Sequence, residues 1–112
     1  MSGEGDVAPQ GLRELIEAVG LEPLSPLLTA LDTEMAGFVA APPADPEDLA
    51  EQAHGLVGAA GGLGFLDVAD SCRELERACR AGRDVHAEQA RVTAEIEAAR
   101  QVIAHLSSPS AD

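Results

Sequence analysis

The sequence predicts an all-α protein, an up-and-down bundle of antiparallel helices, and three observations lead there. Apolar residues recur at steps of three and four in five separate segments, with no strand-like alternation between them. Pro and Gly punctuate the gaps between segments, and short connections make consecutive helices antiparallel neighbours. The apolar residues, 46% of 112, are mostly Ala, Leu and Val, with Phe38 and Phe65 the only aromatics. Small aliphatics suit close helix packing, whereas sheets collect β-branched and aromatic residues.

The first helix is predicted over residues 10–20, with Leu12, Leu15, Ile16 and Val19 on one face and Gly20 as its stop. The second should open at Ser25 as N-cap with Pro26 in the first helical position. Its stripe is Leu24, Leu28, Leu31, Met35 and Phe38, and it ends before the linker Ala41–Pro42–Pro43–Ala44. The third has Asp45 as cap, Pro46 inside, and Glu47 and Asp48 near the positive helix end, and runs to about Leu63. The fourth, about 65–81, carries Val68, Cys72, Leu75 and Cys79 and closes at Gly82. The fifth starts near Asp84 and carries Val92, Ile96, Ala99, Ile103 and Leu106. One domain over residues 10–106 is expected, between a flexible N-terminus (1–9) and a flexible tail (107–112). The initial Met, the five-helix pattern and the polar tail point to a stand-alone chain.

Composition excludes several classes of function. Twenty acidic residues face seven basic ones, a formal charge of −13 that repels nucleic acid and anionic membrane surfaces. There is no Trp or Tyr to stack a base. All seven basic residues are Arg, so a Walker A lysine, a Schiff-base lysine and a kinase ATP-pairing lysine are missing together. No apolar run reaches the roughly 20 residues that cross a bilayer, and the acidic start does not read as a signal peptide. A cytoplasmic monomer is the default expectation.

The two cysteines, Cys72 and Cys79, stand seven residues apart on one predicted helix, about 10 Å at ~1.5 Å per residue. A disulfide needs less than about 7 Å, so they read as small buried side chains. No pair among Cys72, Cys79, His86 and His105 has i, i+4 or C-x-x-C spacing, so no metal site is expected. Gly58, Gly61, Gly62 and Gly64 follow no strand, and with no Lys among them they do not form a phosphate-binding loop.

The functional clue lies on the third helix. At ~100° per residue, Leu49, Ala53, Leu56, Ala60 and Leu63 fall within about 80° of arc, and His54 points roughly 130° away from their centre. Ala50, Gly58 and Gly61 lie on its side, so the imidazole should stand in solvent among little side-chain bulk. Two mid-helix glycines cost roughly 1 kcal/mol each relative to Ala; close approach of another molecule would account for their presence. An exposed imidazole with an ordinary pKa near ~6.5 is largely neutral, leaving one ring nitrogen a free lone pair. No partnering carboxylate is apparent at fixed geometry, so whatever docks must complete the chemistry. The competing reading is a surface histidine beside tolerated glycines.

The stretch Ala53–His54–Gly55–Leu56–Val57–Gly58–Ala59–Ala60, followed by Leu63–Gly64, resembles the phosphorylation motif of histidine-phosphotransfer (HPt) domains, usually Ala-His-x-Leu-Lys-Gly with a closing Leu-Gly. Val68–Ala69, Cys72, Leu75–Glu76 and Arg80–Ala81–Gly82 match the family's next helix in type and spacing. The resemblance implies a four-helix bundle with an additional short N-terminal helix. It also implies transfer of a phosphoryl group from a receiver-domain aspartate to His54 and onward to another receiver. The partners would be response-regulator receivers or a hybrid histidine kinase, and the chain would be a phosphocarrier with no ATP site of its own. It would need no cofactor, Mg²⁺ belonging to the receiver. Ala50, Val57, Gly58 and Gly61 would form the docking surface. The family's Lys three residues after the histidine is Val57 here. Arg73 and Arg77, at about the right height if the third and fourth helices form a hairpin at Gly64, are the candidate substitutes beside the phosphoryl group. The alternative is that they pair with Asp70, Glu74 or Glu76. Without the Lys, a module that docks a receiver but takes no phosphoryl group is the runner-up function. A metal- or redox-binding bundle using His54 and the cysteines is the third.

Overall fold

A computed structural model describes residues 8–107, and these contain five α-helices and no strand. In order they are α1 (Gln10–Val19), α2 (Leu21–Ala40), α3 (Pro46–Gly62), α4 (Leu66–Arg80) and α5 (His86–Ser107). The expected all-α class is therefore observed. Of the loose ends predicted at residues 1–9 and 107–112, residues 1–7 and 108–112 lie outside the described residues. Within them, Ala8 already packs against the core and Ser107 is the last residue of α5.

The caps explain most of the boundaries. Asp45 accepts a hydrogen bond from the Asp48 amide at 3.2 Å, and Pro46 fills a position whose N–H would have no helical partner. At the other end of α3, the Phe65 amide donates to the Ala60 carbonyl and the Gly64 amide to the Gly61 carbonyl, with Gly64 at φ +90°. This pair of bonds is a Schellman stop, which needs a left-handed residue. α4 ends the same way, with Arg83 donating to Ala78, Gly82 to Cys79, and Gly82 at φ +72°.

α2 departs from expectation. It begins at Leu21, directly after Gly20 at φ +88°, so Ser25 is not its cap and Pro26 lies inside it. Pro26 is the sixth helical residue and forfeits one i→i−4 bond. Burial of Leu24 and Leu28 on either side of it offsets that loss.

Helices α2 to α5 pack in a closed ring, α2 on α3, α3 on α4, α4 on α5 and α5 back on α2, while α1 lies against α2. The interior is the predicted set, from Leu24, Leu28, Leu31, Met35 and Phe38 through Val68, Cys72 and Leu75 to Val92, Ile96, Ala99 and Ile103. Val19 is exposed, and Leu12 alone in α1 is fully buried. Arg100 ties α5 to α2 through Asp32 at 2.8 Å. The backbones of α1 and the α3–α4 corner approach closely. A Cβ on Gly64 would lie 2.3 Å from the Leu12 amide nitrogen, and one on Gly11 would lie 3.1 Å from the Gly64 Cα. No described helix is long and apolar enough to cross a membrane.

Candidate functional site

The α3–α4 hairpin builds the site. Gly61 faces Ala69, where a Cβ would sit 3.7 Å from the alanine Cβ, and seven residues back His54 meets Glu76, seven residues on. Equal steps in opposite directions make the two helices antiparallel, with position 54 level with 76. The sequence put Arg73 and Arg77 at about this height, and the level position is 76, one residue from Arg77.

His54 is 71% exposed at its side chain, on the outer flank of a helix whose inner stripe is buried Leu49, Ala53, Leu56 and Ala60. The clefts between Gly11, Gly64 and Leu66 and between Pro43, Cys79 and Val85 both exclude it. The imidazole thus stands on an open surface. Gly55 and Gly58 beside it are exposed, and a Cβ at either would meet nothing within 4 Å.

The expected absence of a carboxylate partner needs correction. Nδ1 of His54 lies 3.1 Å from Oε1 of Glu76 on α4. A carboxylate only accepts, so this nitrogen carries the proton and donates. The second ring nitrogen, Nε2, then holds the lone pair. Glu76 itself is only 18% exposed at its side chain. Desolvation pushes its carboxyl upward, but the hydrogen bonds from His54 and Arg80 and their charges outweigh it, and the net shift is downward. Glu76 is therefore the ionised acceptor that the arrangement requires.

The arginines sort differently from expectation. Arg73 pairs with Asp70 at 2.8 Å and Arg77 with Glu74 at 2.7 Å, each three residues back on its own helix. Neither makes a hydrogen bond to His54 among the described residues. The cation nearest the ring's carboxylate is Arg80, whose Nε and Nη2 lie 3.0 and 2.9 Å from Oε2 of Glu76. The proposed pairing of Arg73 and Arg77 with acidic neighbours on a solvated face is what the geometry displays.

The predicted docking residues also divide. Ala50 is 1% exposed and belongs to the core, not to a surface. The buried arc of α3 is wider than its leucine stripe because α4 covers the adjoining flank. Val57 is half-buried against the core for the same reason, and Gly61 faces Ala69. Gly58 is open, as expected, and Gly55 joins it. Glu76, Arg80 and Gly55 fall in the stretches that resemble the family, but the sequence did not single them out as site residues. The hairpin register could have brought Glu76 into view, since 76 lies within one turn of the level inferred for His54.

Cys72 and Cys79 are free and buried. Among the described residues no group of three His, Cys, Asp or Glu side chains could hold a metal ion. His86 and His105 are exposed, His86 bonding Asp84 at 2.8 Å. No curated protein and no solved structure matches the chain. One family model does match, over residues 8–102, and it describes the Hpt domain.

Proposed function

We propose, from the premise that this chain belongs to the Hpt domain family, that it carries a phosphoryl group on His54 between receiver domains. Membership places the chain in two-component phosphotransfer signalling, as a carrier module. The finer assignment rests on one observation, an exposed imidazole whose Nδ1 lies 3.1 Å from the Glu76 carboxylate, which leaves Nε2 as the unengaged nitrogen.

The chemistry follows from that arrangement. Nε2 attacks the phosphorus of an aspartyl phosphate on the receiver, the N–P bond forms, and the bond to the aspartate oxygen breaks. The aspartate leaves as a carboxylate. The ring keeps its Nδ1 proton and becomes a phosphoimidazolium, whose charge Glu76 stabilises. Onward transfer reverses the steps with a second receiver aspartate. Gly55 and Gly58 give the receiver's loops room to reach the ring. In this reading the chain supplies the imidazole and its carboxylate, and Mg²⁺ belongs to the receiver. A four-helix up-and-down bundle of α2–α5 with α1 as an added short helix is the architecture this reading adopts, and a cytoplasmic monomer its working state.

Incubation with a phosphorylated receiver should leave acid-labile, alkali-stable phosphate on the protein, and His54→Gln should lose all of it. Equal receiver binding by both forms with no label on either would replace the carrier with an interaction module, the outcome that Val57 in the lysine position favours.

A further inference from the structure

Three arginines on α4 each hold a carboxylate of the same helix, and one of these pairs differs from the other two. Asp70 and Glu74 receive side-chain hydrogen bonds only from Arg73 and Arg77 among the described residues. Glu76 is shared across helices, with Oε1 on the Nδ1 of His54 and Oε2 on both Nε and Nη2 of Arg80. We propose that Arg80 is a positioning residue that fixes the Glu76 carboxylate and thereby selects which nitrogen of His54 is the nucleophile. This rests on the phosphocarrier reading only for its kinetic consequence.

The physical case starts from the ring. A neutral imidazole free in water favours the form with hydrogen on Nε2, which has no lone pair on the nitrogen that faces solvent here. The opposite tautomer must be imposed, and the hydrogen bond made at Nδ1 is what imposes it. That bond is only as persistent as the acceptor's position. Glu76 reaches the ring through a flexible side chain, and losing one anchor restores its rotamer freedom. The Arg80 fork grips Oε2 through two nitrogens, which sets the plane of the carboxylate and aims Oε1 at α3. Glu76 precedes Arg80 by four residues, the favoured order for an acid–base pair on a helix. The guanidinium also keeps Glu76 ionised, and an ionised carboxylate must accept from the ring. Arg80 is half-exposed at 52%, and its side-chain hydrogen bonds among the described residues all go to Glu76.

The test is the ¹⁵N chemical shifts of the His54 ring at about pH 8.5, where histidine is neutral, in the wild type, Arg80→Ala, Arg80→Lys and Glu76→Ala. The wild type should be mainly Nδ1–H. Arg80→Ala should move the tautomer ratio toward Nε2–H by roughly two- to fivefold, the scale on which an exposed ion pair acts. Arg80→Lys should recover part of that change, and Glu76→Ala should exceed it. With a phosphorylated receiver, the initial transfer rate of Arg80→Ala should fall in proportion to the lost Nδ1–H fraction, with the receiver concentration at half-saturation unchanged. A tautomer ratio in Arg80→Ala equal to wild type overturns the proposal, whatever happens to the rate. If the wild type accepts no phosphoryl group from any receiver, the carrier reading falls, and the tautomer ratio still decides the role of Arg80.

Discussion

The two ends of one helical hairpin use glycine for opposite reasons. At the α3–α4 corner, Gly64 is in a left-handed conformation with the backbone of α1 pressed against it, and a side chain there would occupy the space of Leu12. On the outer face of α3, Gly55 and Gly58 have ordinary helical conformation and empty space around them. The fold needs the first glycine. It is burdened by the second pair, because each exposed helical glycine costs roughly 1 kcal/mol against alanine. A residue that weakens its own helix and touches nothing is best explained by something outside the molecule, and the exposed imidazole lies beside it.

The comparison breaks most readily at the corner. Gly64→Ala should destabilise the protein by about 3 kcal/mol or more, since strained backbone and overlap with main-chain atoms add. Chemical denaturation would record this as a lower midpoint. An unchanged midpoint would mean that α1 is not held at Gly64.

The interior side of α4 offers the next largest effect. Burial pushes the Cys72 thiol from its ordinary 9.0 up to about 11. The unfolded chain then releases this proton at lower pH than the folded one, so stability is intact below pH 9 and falls as pH rises toward 11. Two units correspond to about 2–3 kcal/mol. Thermal melts across that window should show the loss, and it should shrink in Cys72→Ala, whose cavity lowers stability equally at all pH values. Native protein at neutral pH should resist thiol alkylation at this position.

At the open face the sign should reverse. Gly58→Ala should raise stability by about 0.5–1 kcal/mol, because its Cβ meets nothing and gains helix propensity. Gly58→Leu should leave the fold intact while cutting phosphotransfer by about tenfold, a cost near 1.4 kcal/mol of lost close approach. If both variants transfer at the wild-type rate, the bare surface has no docking role. The smallest effects belong to Arg73→Ala and Arg77→Ala, each breaking an exposed pair worth under about 1 kcal/mol. Unchanged transfer and phosphohistidine lifetime in both would end the idea that either arginine replaces the missing lysine.

Helix α3 was legible in one dimension because its signals are local. Asp45, Pro46, the leucine and alanine stripe and Gly64 each act within a turn or two, and they place His54 outside the stripe before any neighbour is known. The same locality misled at α2, where Ser25–Pro26 has the chemistry of a helix start but Gly20 begins the helix earlier. Ala50 was misplaced because a stripe of large residues marks only the centre of the buried arc. Its edge depends on how far α4 wraps the flank.

The sequence by itself determined that this chain is helical, where four of the five helices begin and end to within two residues, and that the histidine of α3 would be left uncovered. Those properties follow from side-chain periodicity and capping, which operate within a single helix. Tertiary structure alone decided what faces that histidine. Glu76 reaches Nδ1 because the Gly64 turn sets α4 antiparallel to α3 in one register, and a shift of one residue would rotate a different side chain toward the ring. Contacts between helices depend on rotation and height together, and neither can be read from a helix taken alone.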